Sequence, residues 1–142
     1  MTRDPTIRLQ SGALPFRIGA KGRIDVLLVT TGPRGRWGIP KGKAEPELTL
    51  GENAAKEAYE EAGVIGEIAA YSSGMFRTMK RDSLGEGIVE VWVYLLKVAE
   101  ILEDWPEKAR RRTKWVRPKE AAKTLREPLL SRLCLELHRI TR

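Results

Sequence analysis

Polar and apolar residues alternate from Ile7 through Gln10, and the segment Ala13-Leu14-Pro15-Phe16 that follows continues an extended pattern. The run Ile24-Asp25-Val26-Leu27-Leu28-Val29 is apolar at nearly every position, as a strand buried on both faces would be. Residues 19–22, bounded by glycines, predict the turn between these two strands. A second connection, Gly32-Pro33-Arg34-Gly35-Arg36, leads into residues 37–43, where two glycines and a proline predict an irregular loop whose backbone can approach a ligand.

At Leu50 the period becomes helical and stays so to Ala62. Thr49 and Glu52, three positions apart, form the pattern of a capping box at its start, and Gly63 supplies the stop. Residues 65–79 and 88–98 predict two further strands joined by residues 81–87, the second strand carrying the β-favouring run Val89-Glu90-Val91-Trp92-Val93-Tyr94. A short strand at residues 113–116 and a short helix at 119–125 come next. Leu129, Leu130, Leu133, Leu137 and Ile140 then recur at helical spacing, which predicts an amphipathic C-terminal helix.

This order describes an α+β chain, read as an α/β/α sandwich with a mixed central sheet, one central helix and a C-terminal helix. A length of 142 residues fits one domain spanning 1–142, and 42% hydrophobic with 32% charged residues describes a globular composition. The one cysteine, Cys134, lies in an apolar stretch, so neither a disulfide framework nor a zinc cluster is expected and core filling is its predicted role. No apolar run reaches the roughly 18 residues a membrane span needs, and the start Met1-Thr2-Arg3-Asp4-Pro5 lacks the apolar segment of a secretory signal. The expected location is the cytoplasm, without membrane association.

The formal charge of +7 favours anionic partners, whether nucleic acid, acidic lipid or phosphorylated metabolite. Three carboxylates narrow that choice. Glu57, Glu60 and Glu61 stand at i, i+3 and i+4 of the predicted helix, within one arc of its wheel, while Ala54, Ala55, Ala58 and Ala62 occupy another arc suited to close packing on a sheet. Like charges at this spacing repel weakly in an isolated helix, and a bound cation reverses the sign. An all-oxygen cluster suits a hard cation such as Mg²⁺, which bridges carboxylates to substrate phosphates.

Taken together, Gly42 and Lys56-Glu57-Ala58-Tyr59-Glu60-Glu61-Ala62-Gly63-Val64 resemble the Nudix box, G-x5-E-x7-R-E-U-x-E-E-x-G-U, without a gap. Two positions depart from it: Leu48 stands where the box has its first glutamate and Lys56 where it has arginine. Glu45 or Glu47 is a candidate for the missing carboxylate, and lysine keeps the charge of arginine without its bidentate fork. Beyond the box, residues 24–117 resemble the diphosphoinositol polyphosphate phosphohydrolase branch, which also tends to accept diadenosine polyphosphates. This chain has Pro40-Lys41-Gly42-Lys43 where that branch has a glycine triplet.

The resemblance implies a Mg²⁺- or Mn²⁺-dependent pyrophosphohydrolase of the Nudix fold, cleaving a P–O–P bond in an anionic phosphorylated small molecule. It makes Glu57, Glu61 and the backbone carbonyl near Lys41 and Gly42 the metal ligands and Glu60 the catalytic base or an additional ligand. Glu86 and Glu90 are reserves for the base, with an outward place on an alternating strand the competing reading for Glu90. Arg34, Arg36, Lys41 and Lys43 surround the loop before the helix and are the expected phosphate contacts. Arg77, Lys80, Arg81, Lys108, Arg110, Arg111, Arg112, Lys114 and Arg117 collectively favour a polyanion, although each taken singly reads as a solvated surface charge.

Trp37, Trp105 and Trp115 are candidates for base stacking or, more simply, for packing beside strands. His138, in the last helix, reads as a surface or packing residue. Two other functions stay open: an RNA 5′-pyrophosphohydrolase or nucleotide pyrophosphatase, for which nucleic acid is the substrate in one case, and a Nudix-fold module that binds nucleotide or RNA without cleaving it. The expected state is a monomer or homodimer.

Overall fold

A computed structural model of the chain describes residues 7–141 apart from Leu84, and the side chain of Asp82 is also excluded. The reading of Met1 to Pro5 and the Leu84 position of the expected 81–87 link lie outside the described residues. The elements run β1 (Ile7–Ile18), β2 (Ile24–Thr31), β3 (Arg36–Gly38), β4 (Lys41–Lys43), α1 (Leu50–Ala62), β5 (Val64–Ile68), β6 (Gly74–Asp82), β7 (Gly85–Ile101), β8 (Thr113–Val116), α2 (Pro118–Thr124) and α3 (Pro128–Ile140).

The sheet is built around one parallel pair. β1 and β7 run side by side from Ile7 opposite Ile88 to Phe16 opposite Lys97. Along the outer edge of β1 lie β4, paired at Gln10 to Gly12, and β2, paired at Phe16 to Ile18, both antiparallel. The outer edge of β7 carries β6 and β5 in the same manner. β3 and β8 extend the sheet from β2.

Alternate residues of the central strands feed two separate cores. Ala13, Leu27 and Leu96 meet Ala54, Ala58 and Ala62 of α1 on one face. Leu14, Val26, Leu28, Val89, Val91 and Val93 meet Leu130, Leu133, Cys134 and Leu137 of α3 on the other. Helices therefore cover both faces, giving an α/β/α sandwich with a mixed sheet. Cys134 is fully buried, as expected of filler, and burial pushes its thiol up to about 12. Among the described residues no helix is long and apolar enough to cross a membrane.

Both ends of α1 follow local chemistry. Glu52 N–H donates to Thr49 Oγ1 at 3.1 Å and Thr49 N–H donates to Glu52 Oε1 at 2.8 Å, so two orphan amides of the first turn are satisfied. Gly63 closes the helix in the left-handed region at φ 66°.

Four features differ from the sequence-based expectation. Residues 65–79 do not form one strand: β5 and β6 share the same edge of β7 but are separated by an excursion at 69–73, flanked by hydrogen bonds from Ala69 N–H to Leu95 O and from Ser73 N–H to Val93 O. Ser72, Ser73 and Gly74 mark the break in the sequence, and the two pieces pair with different stretches of β7. The expected loop at 37–43 contains strand ends, β3 and β4, around Ile39 and Pro40, because β2 and β1 offer them free edges. Most of the expected link at 81–87 is likewise paired in the β6–β7 hairpin. Ile140, assigned to the apolar stripe of α3, is 43% exposed at the helix end.

Candidate active site

The helical spacing of Glu57, Glu60 and Glu61 is preserved in α1, but the three carboxylates turn to different partners. Glu57 leans over Gly42 of β4, so closely that a Cβ there would lie 2.3 Å from Glu57 Oε1. A side chain at position 42 would displace the Glu57 carboxylate, a close approach of the kind the loop reading anticipated for the backbone even though the segment is a short strand. Glu61 is buried, with 4% of its surface exposed, and its Oε1 faces Arg111 Nη1 at 3.9 Å. Glu60 turns outward along the helix to Lys56, 3.3 Å away. Lys56 also donates to Glu45 Oε1 at 2.9 Å, so Glu45, and not Glu47, is the carboxylate that ties the preceding loop to α1.

Electrostatics around the buried pair is unusual. Burial, reinforced by Glu57 and Glu107 and opposed by Arg111 and Lys41, pushes the Glu61 carboxyl up to about 8. Burial and the nearby charge of Glu60 raise Glu57 as well. Lys41 is moved down by burial, with Glu61 working against that shift. Two desolvated carboxylates lie by Gly42, and a divalent cation would offset the charge that their burial disfavours. The donor set is all oxygen and hard, so it fits Mg²⁺ or Mn²⁺. Among the described residues no three acidic, histidine or cysteine side chains form a ready cluster, since Glu60 is drawn to Lys56; remaining positions on such an ion would fall to water and substrate oxygens.

Beside Glu61 opens a cleft of about 510 Å³, whose wall, among the described residues, does not include Glu57 or Glu60. Glu61, Gly42, Lys41, Lys43, Lys80 and Arg111 all contribute to its wall, as does Arg81. Of the four expected phosphate contacts, Lys41 and Lys43 thus face the cleft. Arg36 lines an adjoining cavity of about 440 Å³ with Trp37 and Phe76, sharing Lys41 with the cleft. Arg34 stands exposed on the turn after β2 and, among the described residues, does not contribute to the cleft wall.

The reserves lie elsewhere. Glu86 is exposed and pairs with Arg81 at 3.4 Å. Glu90 is 6% exposed, not outward, because its side of β7 is covered; it accepts from Arg77 at 3.1 Å and from Trp92 Nε1 at 2.9 Å. Each of the three tryptophans carries a cation on its ring: Lys114 lies 4.5 Å from the Trp37 centroid, Lys108 5.3 Å from Trp105 and Arg17 4.1 Å from Trp115. Trp105 also packs on Gly63 and donates to Glu61 O at 3.3 Å. His138 is exposed.

Two residues that the sequence did not single out complete the arrangement. Asn53, fully buried in α1, donates to Ser11 Oγ at 2.9 Å and reaches Gly42 O at 3.4 Å, which fixes β4 against the helix. Arg111 is half-buried and braced three ways, donating to Glu107 at 2.7 Å and to Thr30 O at 2.8 Å while facing Glu61. Its pairing with Glu107 has i,i+4 spacing, the one local hint that it differs from the surface arginines beside it.

An acidic helix beside a glycine strand and a basic cleft is an arrangement suited to anionic ligands, and comparison with known proteins places the chain in a family. Residues 8–133 match the NUDIX domain family model. Nudix hydrolase 12, mitochondrial, from Arabidopsis thaliana is 32% identical over 153 residues, covering 96% of this chain and 75% of its own length. Diphosphoinositol polyphosphate phosphohydrolase 2 from Rattus norvegicus is 38% identical over 104 residues, with 71% of this chain matched to 54% of that one. The fold is also that of the C. elegans Ap4A hydrolase, at a TM-score of 0.63 and 18% identity over 96% of this chain and 99% of that one.

The chain belongs to the NUDIX family. It is a pyrophosphohydrolase, a class whose members act on phosphorylated small molecules and generally use divalent metal ions.

Proposed function

We propose that this enzyme hydrolyses a P–O–P bridge in a nucleoside-diphosphate-linked or polyphosphorylated small molecule, with Mg²⁺ or Mn²⁺ held by Glu57, Glu61 and the Gly42 carbonyl. The observation that carries the proposal is the buried Glu61 beside Glu57 and Gly42, at the base of a cleft walled by Lys41, Lys43, Lys80, Arg81 and Arg111. When bound, the ion neutralises charge that develops on the phosphoryl oxygens.

The residues of the chain do the rest. Lys41, Lys43 and Arg111 orient the phosphate chain, and Lys80 and Arg81 extend the same field over the cleft mouth. A water attacks phosphorus, the bridging P–O bond breaks, and Glu60 takes the proton of the attacking water. Glu60 leaves its ion pair with Lys56, which stays tied to Glu45, to reach that proton. Two phosphorylated fragments leave. The rat relative's name refers to diphosphoinositol polyphosphates and the nematode structure's title to Ap4A, and both substrates are polyanions of the kind this cleft suits.

Incubation with Mg²⁺ and a panel of diadenosine polyphosphates, diphosphoinositol polyphosphates, nucleotides and 5′-triphosphate RNA, followed by chromatography of the phosphate products, tests the reading. Turnover of one class is expected, with Glu61→Gln and Glu60→Gln each lowering it by about 10²-fold or more in folded protein. Unchanged turnover in Glu60→Gln would remove its role as base, and no turnover across the panel would remove the hydrolytic reading altogether.

A further inference from the structure

The last turn of α1 carries two of the three carboxylates, so whatever holds that turn holds Glu60 and Glu61. Carbonyl groups at a helix C-terminus have no partner within the helix, and a turn left to water frays. Here one segment, residues 102–107, supplies the partners. Leu102 N–H donates to Gly63 O at 2.8 Å, Glu107 N–H to Glu60 O at 2.9 Å and Trp105 Nε1–H to Glu61 O at 3.3 Å. The Trp105 ring also lies against Gly63, where an added Cβ would stand 2.3 Å from it. Lys108 stands 5.3 Å from the ring centroid and donates to Glu103 O, which holds the indole within its own loop.

We propose that Trp105 is a positioning residue, whose indole N–H holds the backbone at Glu61 and through it the aim of the Glu61 carboxylate. Two of the three bonds come from backbone amides, which almost any sequence would provide. The third depends on the identity of one side chain. The same loop continues to Arg111, which faces Glu61 at 3.9 Å while donating to Glu107 at 2.7 Å and to Thr30 O at 2.8 Å. Trp105 and Arg111 thus hold one residue at two points, the indole at its carbonyl and the guanidinium at its carboxylate.

A ring that only filled space at Gly63 would need no donor at its edge. A buried carboxylate needs restraint of this kind, because a turn that frays lets it swing out to water, where its charge is better solvated. The proposal rests on the reading of Glu61 as a metal ligand, since a carboxylate that must meet an ion depends on its aim. Groups that orient metal ligands contribute about 10–100-fold to metal affinity.

Calorimetric titration with Mn²⁺, together with amide hydrogen exchange of the metal-free protein, tests this without reference to turnover. Trp105→Phe keeps a ring over Gly63 and removes the donor. It is expected to bind Mn²⁺ about tenfold more weakly. The Gly63 amide, which closes the last turn on Tyr59 O, should exchange at least about fivefold faster while amides earlier in α1 keep their rates. Trp115→Phe alters a ring that packs in the same core, beneath Arg17, and serves as the control for lost packing; it should bind Mn²⁺ within about twofold of wild type. Unchanged Mn²⁺ affinity in Trp105→Phe, or an equal loss in Trp115→Phe, would overturn the proposal. Wild type that fails to bind Mn²⁺ removes the metal reading, and the Gly63 amide then decides the positioning role alone: faster exchange upholds it and unchanged exchange overturns it. Should Trp105→Phe not fold, the Trp105 indole N–H of wild type is read directly. Protection from exchange is expected there, and a rate equal to that of a free indole would overturn the bond to Glu61.

Discussion

Glu61 is the residue at which burial and function meet most directly. In the folded protein its carboxyl titrates near 8, against 4.5 for the ordinary group, so between those values the native state holds a proton that the unfolded chain has released. Stability therefore falls as pH rises across that window and levels off above it, and the raised Glu57 adds to the same slope. At about 1.4 kcal/mol per unit, the loss amounts to at most about 5 kcal/mol. Metal-free protein should show a falling Tm between about pH 5 and 8, a slope reduced in Glu61→Gln and by added Mg²⁺; a flat profile would mean that Glu61 is solvated. The trio of glutamates was legible in the sequence because helical spacing is local. Their divergence was not, since it depends on Lys56, Gly42 and Arg111, and Arg111 is held at the site in part by a bond to Thr30 O, far away in the chain.

At the scale of elements, the helix that carries these carboxylates is held by its ends. Gly63 combines φ 66° with a Trp105 ring that would lie 2.3 Å from an added Cβ. Gly63→Ala should cost at least about 2 kcal/mol in urea unfolding, from left-handed strain together with displacement of the ring. Because Trp105 donates to Glu61 O, turnover should drop with it. A loss below about 0.5 kcal/mol would show that the ring yields freely.

Both helix ends, the alanine face and the three helices themselves could be read from local signals, as Thr49, Gly63 and Ala58 illustrate. Strand boundaries could not: β4 exists because β1 has an edge to offer, and the gap between β5 and β6 is set by β7. Pairing is a property of partners far apart in the chain.

Across the whole molecule, a charge of +7 is gathered partly around one opening, where Lys41, Lys43, Lys80, Arg81 and Arg111 share a wall. Field of this kind draws polyanions in and is screened by salt over about 8 Å at physiological ionic strength. Raising salt from about 50 to 300 mM should therefore lower kcat/KM several-fold for a polyphosphorylated substrate, mostly through KM; insensitivity would mean that the basic cluster does not face the incoming ligand. The sign of this effect was readable from composition, whereas its focus was not, because Lys80 and Arg111 join Lys41 only through the sheet.

The parallel pairing of β1 with β7 sets an order on the birth of the enzyme. Ile7 waits for Ile88 and Phe16 for Lys97, while the box ends at Val64. A nascent chain thus exposes every glutamate of its signature before the strand that completes their floor has been synthesised. Long-range pairing of this sort is slow to close. For that interval the chain carries the full motif and no cleft, and the activity appears only when its C-terminal half arrives.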